Sequence, residues 1–158
     1  MTSQQNVVPS TDPAGAGISA AIPDVPATLS PSRVARRVYV VGIYLLAVAV
    51  VTQFLLAGLG IFFDPQFLYL WHATVGAGVI AGLSLLLVAV GSLGRVPGRT
   101  LWLTGAVTGL VIVQSLLLTP YHMNATGLLR AISGLHVVNA LLIFWVVLRL
   151  VERASRLR

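Results

Sequence analysis

Four long apolar stretches, at roughly residues 38–63, 67–91, 100–119 and 128–151, limit what this chain can fold into. Each holds about 20 to 26 residues, enough at ~1.5 Å per residue to cross a hydrocarbon core of ~30 Å. A backbone in lipid must satisfy its own hydrogen bonds, so each stretch reads as a helix. The links between them are short, which joins neighbours into an up-down-up-down arrangement. The expected fold class is therefore all-α, a four-helix antiparallel transmembrane bundle over residues 33–158. Residues 1–32 differ: they carry five prolines, two aspartates and no arginine. That composition reads as a disordered tail, and no basic region precedes an apolar core as in a secretory signal.

Charge supports the membrane reading. The chain is 57% hydrophobic and only 9% charged, against about a quarter charged in soluble domains. Its net charge of +6 has no basic stripe with interleaved aromatics, so nucleic acid is not an expected partner. All ten basic residues are arginine, which fits the codon usage of a GC-rich bacterial genome. Arg33, Arg36, Arg37, Arg95, Arg99, Arg149, Arg153, Arg156 and Arg158 fall on one side of an even number of spans, leaving Arg130 on the other. The positive-inside rule then places both termini in the cytoplasm of a multi-pass protein of the bacterial inner membrane. Tyr69, Trp71 and Tyr121 are expected at the outer interface, and Tyr39 and Trp102 at the inner one.

Polar residues inside such helices are costly, and they usually face the bundle interior or a site. The first helix supplies Gln53, the second His72, the third Gln114, and the fourth Ser133, His136 and Asn139. Counting inward from the outer face, His72 and Gln114 lie ~8 Å deep, His136 ~12 Å, and Gln53 and Asn139 ~15 Å. All fall in the outer half of the bilayer. His136 shares a helix face with Ser133 and Asn139, and His72 shares one with Gly76. Gly76, one turn beyond His72, leaves a gap that suits a flat cofactor or a neighbouring helix. Gly78-xxx-Gly82 and Gly105-xxx-Gly109 are small-residue pairs, expected to bring helices close together.

The chemistry these residues can carry is narrow. No cysteine is present, which excludes disulfides, thiolate metal sites and covalent haem attachment. No acid lies within an apolar stretch, so a carboxylate proton relay lacks its acid. Two histidines alone under-ligate zinc. No catalytic set is present, and the chain is not expected to be an enzyme. Two imidazoles at similar depth on alternate helices do fit one b-type haem held across a four-helix bundle, with His72 and His136 as the iron ligands. Gln53, Gln114, Ser133 and Asn139 are then candidates to orient the ligands. Arg130 is long enough to reach a propionate.

The segments Gln53-x-x-x-Ala57-Gly58-x-Gly60, Trp71-His72 and Leu135-His136-x-x-Asn139-Ala140 resemble a family of small four-helix bacterial membrane proteins of unknown function. That resemblance covers about residues 38–151 and implies no activity. A more distant likeness is to four-helix haem-b units, the membrane cytochromes b and one half of haem A synthase. It implies that His72 and His136 are axial ligands. The acidic motif of haem A synthase's first outer loop is missing here, where only Asp64 stands, and no second histidine pair lies near the inner face. Electron transfer or haem handling, with quinone or another membrane protein as partner, is the function so implied. A non-catalytic membrane subunit, whose polar cluster fixes helix register, is the competing expectation. A component of a small-molecule transporter is a third, weakened by the lack of intramembrane acids and of a broken helix.

Overall fold

A computed structural model describes residues 30–157 of the chain. Most of the expected tail lies outside the described residues. The first helix runs Pro31–Phe62, beginning earlier than its apolar stretch because Pro31 suits a first helical turn. The second is continuous from its π-helical turns, Phe67–His72 and Thr74–Ile80, into α-helix Ala81–Leu93. The third is Gly98–Leu117, followed by a short turn Thr119–His122. The fourth passes from Gly127–Ala131 through a 3₁₀ turn, Ile132–Gly134, into Leu135–Ser155. Four helices are long and apolar enough to cross a membrane. Each packs on its two neighbours, in ring order one to four. The chain is a four-helix bundle and a multi-pass integral membrane protein.

The core occupies one half of this bundle, the half nearer the arginines. Tyr39, Ile43, Leu46 and Val50 of the first helix are buried there. Thr100, Thr104, Val107 and Val111 of the third meet them. The second helix adds Ile80, Ser84, Leu87 and Gly91, and the fourth adds Ile143, Val147, Leu150 and Ala154. Hydroxyl pairs join the helices at this level: Tyr39 to Thr104 at 2.8 Å and Ser84 to Thr108 at 2.6 Å. Tyr39 is thus fully buried and does not stand in an interfacial belt. Trp102 and Trp71 are exposed at opposite ends, as an aromatic belt requires.

Close helix approach does occur at glycines, but not at the expected pairs. A Cβ on Gly78, Gly82 or Gly109 would meet nothing within 4 Å, and one on Gly105 only Val88 at 3.7 Å. The tight contacts are instead at Gly42 against Leu87, Gly60 against Leu68 and Gly91 against Leu101 and Tyr39. A glycine pair on a lipid-facing stripe has the same spacing as one in a seam, and spacing alone does not separate the two. In the link after the second helix, a Cβ on Gly94 would come 2.8 Å from the Arg36 backbone nitrogen. Gly94 is therefore spent on close approach, and the left-handed turn conformation falls to Arg95, at φ 54°.

The two hairpins repeat each other. Buried positions 39, 43, 46 and 50 of the first helix recur 61 positions later, at 100, 104, 107 and 111. Positions 80, 84, 87 and 91 of the second recur 63 positions later, at 143, 147, 150 and 154. Such a ladder amounts to an approximate two-fold axis along the bundle, relating helices one and two to helices three and four.

Candidate functional site

Gln53 lies one turn beyond buried Val50, and Gln114 one turn beyond buried Val111. They continue the ladder with the same spacing and stand where the core ends. Each glutamine reaches the histidine of its own hairpin. Gln53 Nε2 donates to the His72 carbonyl at 3.0 Å, while His72 Nδ1 donates to the Gln53 carbonyl at 3.1 Å. Gln114 Nε2 donates to the His136 carbonyl at 3.0 Å, and His136 Nδ1 to the Gln114 carbonyl at 3.3 Å. The two halves thus build one four-bond motif twice.

The histidines meet across the diagonal of the bundle, with ring centroids 6.4 Å apart and planes inclined by 47°. Both are partly buried. A backbone carbonyl can only accept, so each Nδ1 carries its proton. In the neutral imidazole that leaves Nε2 as the lone-pair nitrogen, the arrangement metal-binding histidines usually show.

Backbone geometry explains how the pairing survives a mismatch in sequence. Eight positions separate His72 from buried Ile80, but seven separate His136 from buried Ile143, the ladder partner of Ile80. One extra residue in an α-helix would rotate His72 by ~100° off the axis. The second helix is π-helical here, and an i→i+5 turn takes about one residue more than an α-turn. The wider turns absorb the extra residue and keep His72 facing His136.

The remaining expected residues separate into two groups. Asn139 is buried, and its Nδ2 donates to the Leu110 carbonyl at 2.9 Å and to Gln114 Oε1 at 2.5 Å. Gln53 Oε1 in the first hairpin and Ser133 Oγ in the second are buried with no hydrogen-bond partner among the described residues. The gap beside Gly76 is taken by the Gln53 amide. Arg130 is exposed, with its guanidinium carbon 5.2 Å from the Tyr121 ring centroid. His122 packs edge-on against the same ring at 5.7 Å.

Among the described residues, no group of three or more His, Cys, Asp or Glu is placed to hold a bare metal ion. The structure thus defines a class: a membrane four-helix bundle with a diagonal histidine pair, each ring tethered by a glutamine. Compared with known proteins, residues 53–120 match the model of a family of unknown function (DUF6220). That match includes Gln53, His72 and Gln114 and stops short of His136. No curated protein and no solved structure matches the chain.

What the sequence reading missed is the coupling of each glutamine to its histidine. The signal was present: Val50-x-x-Gln53 and Val111-x-x-Gln114 repeat in the two odd-numbered helices.

Proposed function

We propose that this integral membrane protein holds one b-type haem between His72 and His136 and serves electron transfer or haem handling. The observation that carries the reading is the tethered pair itself. Iron bound by an imidazole nitrogen at ~2 Å on each side sets the two ring centroids roughly 6 Å apart. The observed separation is 6.4 Å, with both Nδ1 atoms committed to backbone carbonyls. Among the described residues two ligands without a third under-ligate a bare ion but complement a macrocycle that brings its own four nitrogens. The orphaned Gln53 Oε1 and Ser133 Oγ leave polar atoms without partners on both hairpins.

Haem, when bound, supplies a one-electron couple. This chain's residues do the rest: Gln53 and Gln114 fix the tautomer and tilt of the rings, and Asn139 fixes Gln114. Arg130 is the cation available to a propionate at the open end. The arginine distribution supports termini in the cytoplasm, which puts the pair nearer the outer leaflet, in reach of quinone or a membrane partner. No matched protein carries the haem likeness, so the reading stands on geometry.

The test is an absorption spectrum of the full chain, expressed with ample haem and purified in mild detergent, oxidised and dithionite-reduced. The expected result is a reduced α band that disappears in both His72→Ala and His136→Ala. A colourless protein that is folded by circular dichroism overturns the proposal. It would favour the second reading, a structural cluster that fixes helix register. The reciprocal Gln–His bonds support that reading, because they satisfy four polar groups without any ligand.

A further inference from the structure

At the opposite end, the start of the first helix carries a feature the histidine pair does not use. Arg33, Arg36 and Arg37 line a recess on its surface together with Val40, Val41 and Leu157. A second, almost wholly apolar groove lies between the first and second helices, past Leu45, Leu83, Leu86 and Val90. The two recesses share Arg37 and Val41. Arg37 and Val41 thus form a ridge with the arginine-lined recess on one side and the apolar groove on the other.

Among the described residues no carboxylate pairs with these arginines. Among the described residues the ion pairs join Arg149 and Arg156 to Glu152, and none involves Arg33, Arg36 or Arg37. Arg36 is steadied by donation from Nε to the Gly94 carbonyl at 3.3 Å, which leaves its terminal nitrogens without an acceptor among the described residues. A site with a planar, multi-donor cationic rim and an apolar floor matches one chemistry: a phosphate joined to acyl chains.

We propose that this groove binds an anionic phospholipid, with the phosphate on Arg33, Arg36 and Arg37 and an acyl chain along Val41, Leu45, Leu83 and Leu86. Topology-setting arginines alone would attract anionic lipid to the whole surface without selecting a seat. Arg37, which lines both the arginine recess and the apolar groove, is what makes this one a site. In a detergent micelle no lipid surface surrounds the other arginines, so only those touching the bound phosphate count; at roughly fivefold each, removing two should cost ~25-fold in selective retention.

The experiment uses the full chain in mild detergent with phosphatidylglycerol and phosphatidylcholine of matched acyl chains, and counts retained lipids by native mass spectrometry. The wild type is expected to retain phosphatidylglycerol preferentially. Arg33→Gln/Arg37→Gln should bring the two lipids near parity, while Arg95→Gln/Arg99→Gln, on the same face, should leave the preference standing. Val41→Trp, which fills the groove at a position 58% exposed without touching charge, should also reduce retention several-fold. Equal loss in both arginine pairs, or full retention in Val41→Trp, would mean diffuse adsorption and overturn the site. Displacement of the lipid by millimolar inorganic phosphate would assign the rim to a free anion and overturn the lipid. Thermal melts of each variant identify any that fails to fold; Arg33→Ala/Arg37→Ala then repeats the charge arm.

Discussion

The two halves of this bundle are built from the same four helices and to different rules. Toward the arginines, every helix contributes a row of buried side chains, closed by hydroxyl pairs. Beyond the glutamines and histidines, Gly60 is the one buried position among the described residues. Lipid solvates leucine as well as a helix neighbour does, so association in a membrane relies on packing and polar contacts. The packed half therefore holds the fold together. The open half hangs from four polar side chains, and its second and fourth helices leave α-geometry there. Departures of this kind often mark working sites.

That contrast is broken most directly by truncating equivalent side chains in the two halves. Leu150 is fully buried and Leu128 is 84% exposed. Leu150→Ala should destabilise the bundle by about 2–4 kcal/mol through the cavity it leaves. Leu128→Ala should stay within about 0.5 kcal/mol. Thermal or denaturant unfolding in one detergent reads both. Similar losses would mean that the far half also packs, against something the isolated chain lacks.

Single-residue deletions probe the helical register next. Removing Ala140 from the fourth helix turns everything beyond it by ~100° and separates His136 and Asn139 from Gln114. The expected cost is about 2 kcal/mol, summed over four interhelical bonds, the one from Asn139 to the Leu110 carbonyl included. Removing Ala77 from the second should cost less than about 1 kcal/mol, because the π-turns can revert to α and restore the same facing. A double-mutant cycle between Gln53 and His72 in the Ala77 deletion should retain its coupling. If the coupling vanishes there, the wide turns do not serve to absorb the extra residue.

These contrasts were unequally legible in the sequence. The four helices follow from apolar run length, since lipid leaves a backbone no other choice. The polar residues at one level follow from rise per residue. The repeat was obscured because its partners differ in kind: Tyr39 answers Thr100, Ser84 answers Val147, and Gly91 answers Ala154. In lipid the position that packs is set by volume and not by type. The one-residue offset between 72–80 and 136–143 hid it further, since no alignment without a gap superposes both histidines and both cores. Glycine spacing misled for a related reason: it marks a small face without saying what, if anything, lies against it.

The glutamines sharpen the comparison within the open half. Gln114 both donates to the His136 carbonyl and accepts from Asn139, whereas Gln53 donates only and buries an unpaired Oε1. Gln114→Leu should cost about 1–2 kcal/mol, and Gln53→Leu about 0.5 kcal/mol, because removing an unpaired buried acceptor returns part of the loss. Unfolding of the two variants side by side tests the order. Equal losses without ligand would mean that Gln53 Oε1 finds a partner in solution.

The smallest effects lie in the links, where each end of the bundle has one non-glycine residue at φ 54°, Arg95 and Asn124. Asparagine tolerates the left-handed region and arginine does not. Arg95→Gly should therefore stabilise by roughly 0.5–1 kcal/mol, and Asn124→Gly by less than about 0.3 kcal/mol. Gly94→Ala should act in the opposite sense, because the atoms its Cβ meets at 2.8 Å and 2.9 Å are Arg36 backbone and cannot swing away. Melting curves of the three variants in one detergent decide the matter. A stabilising Gly94→Ala would show that the first helix is free to retreat there, and that the arginine end is less tightly joined than its buried ladder implies.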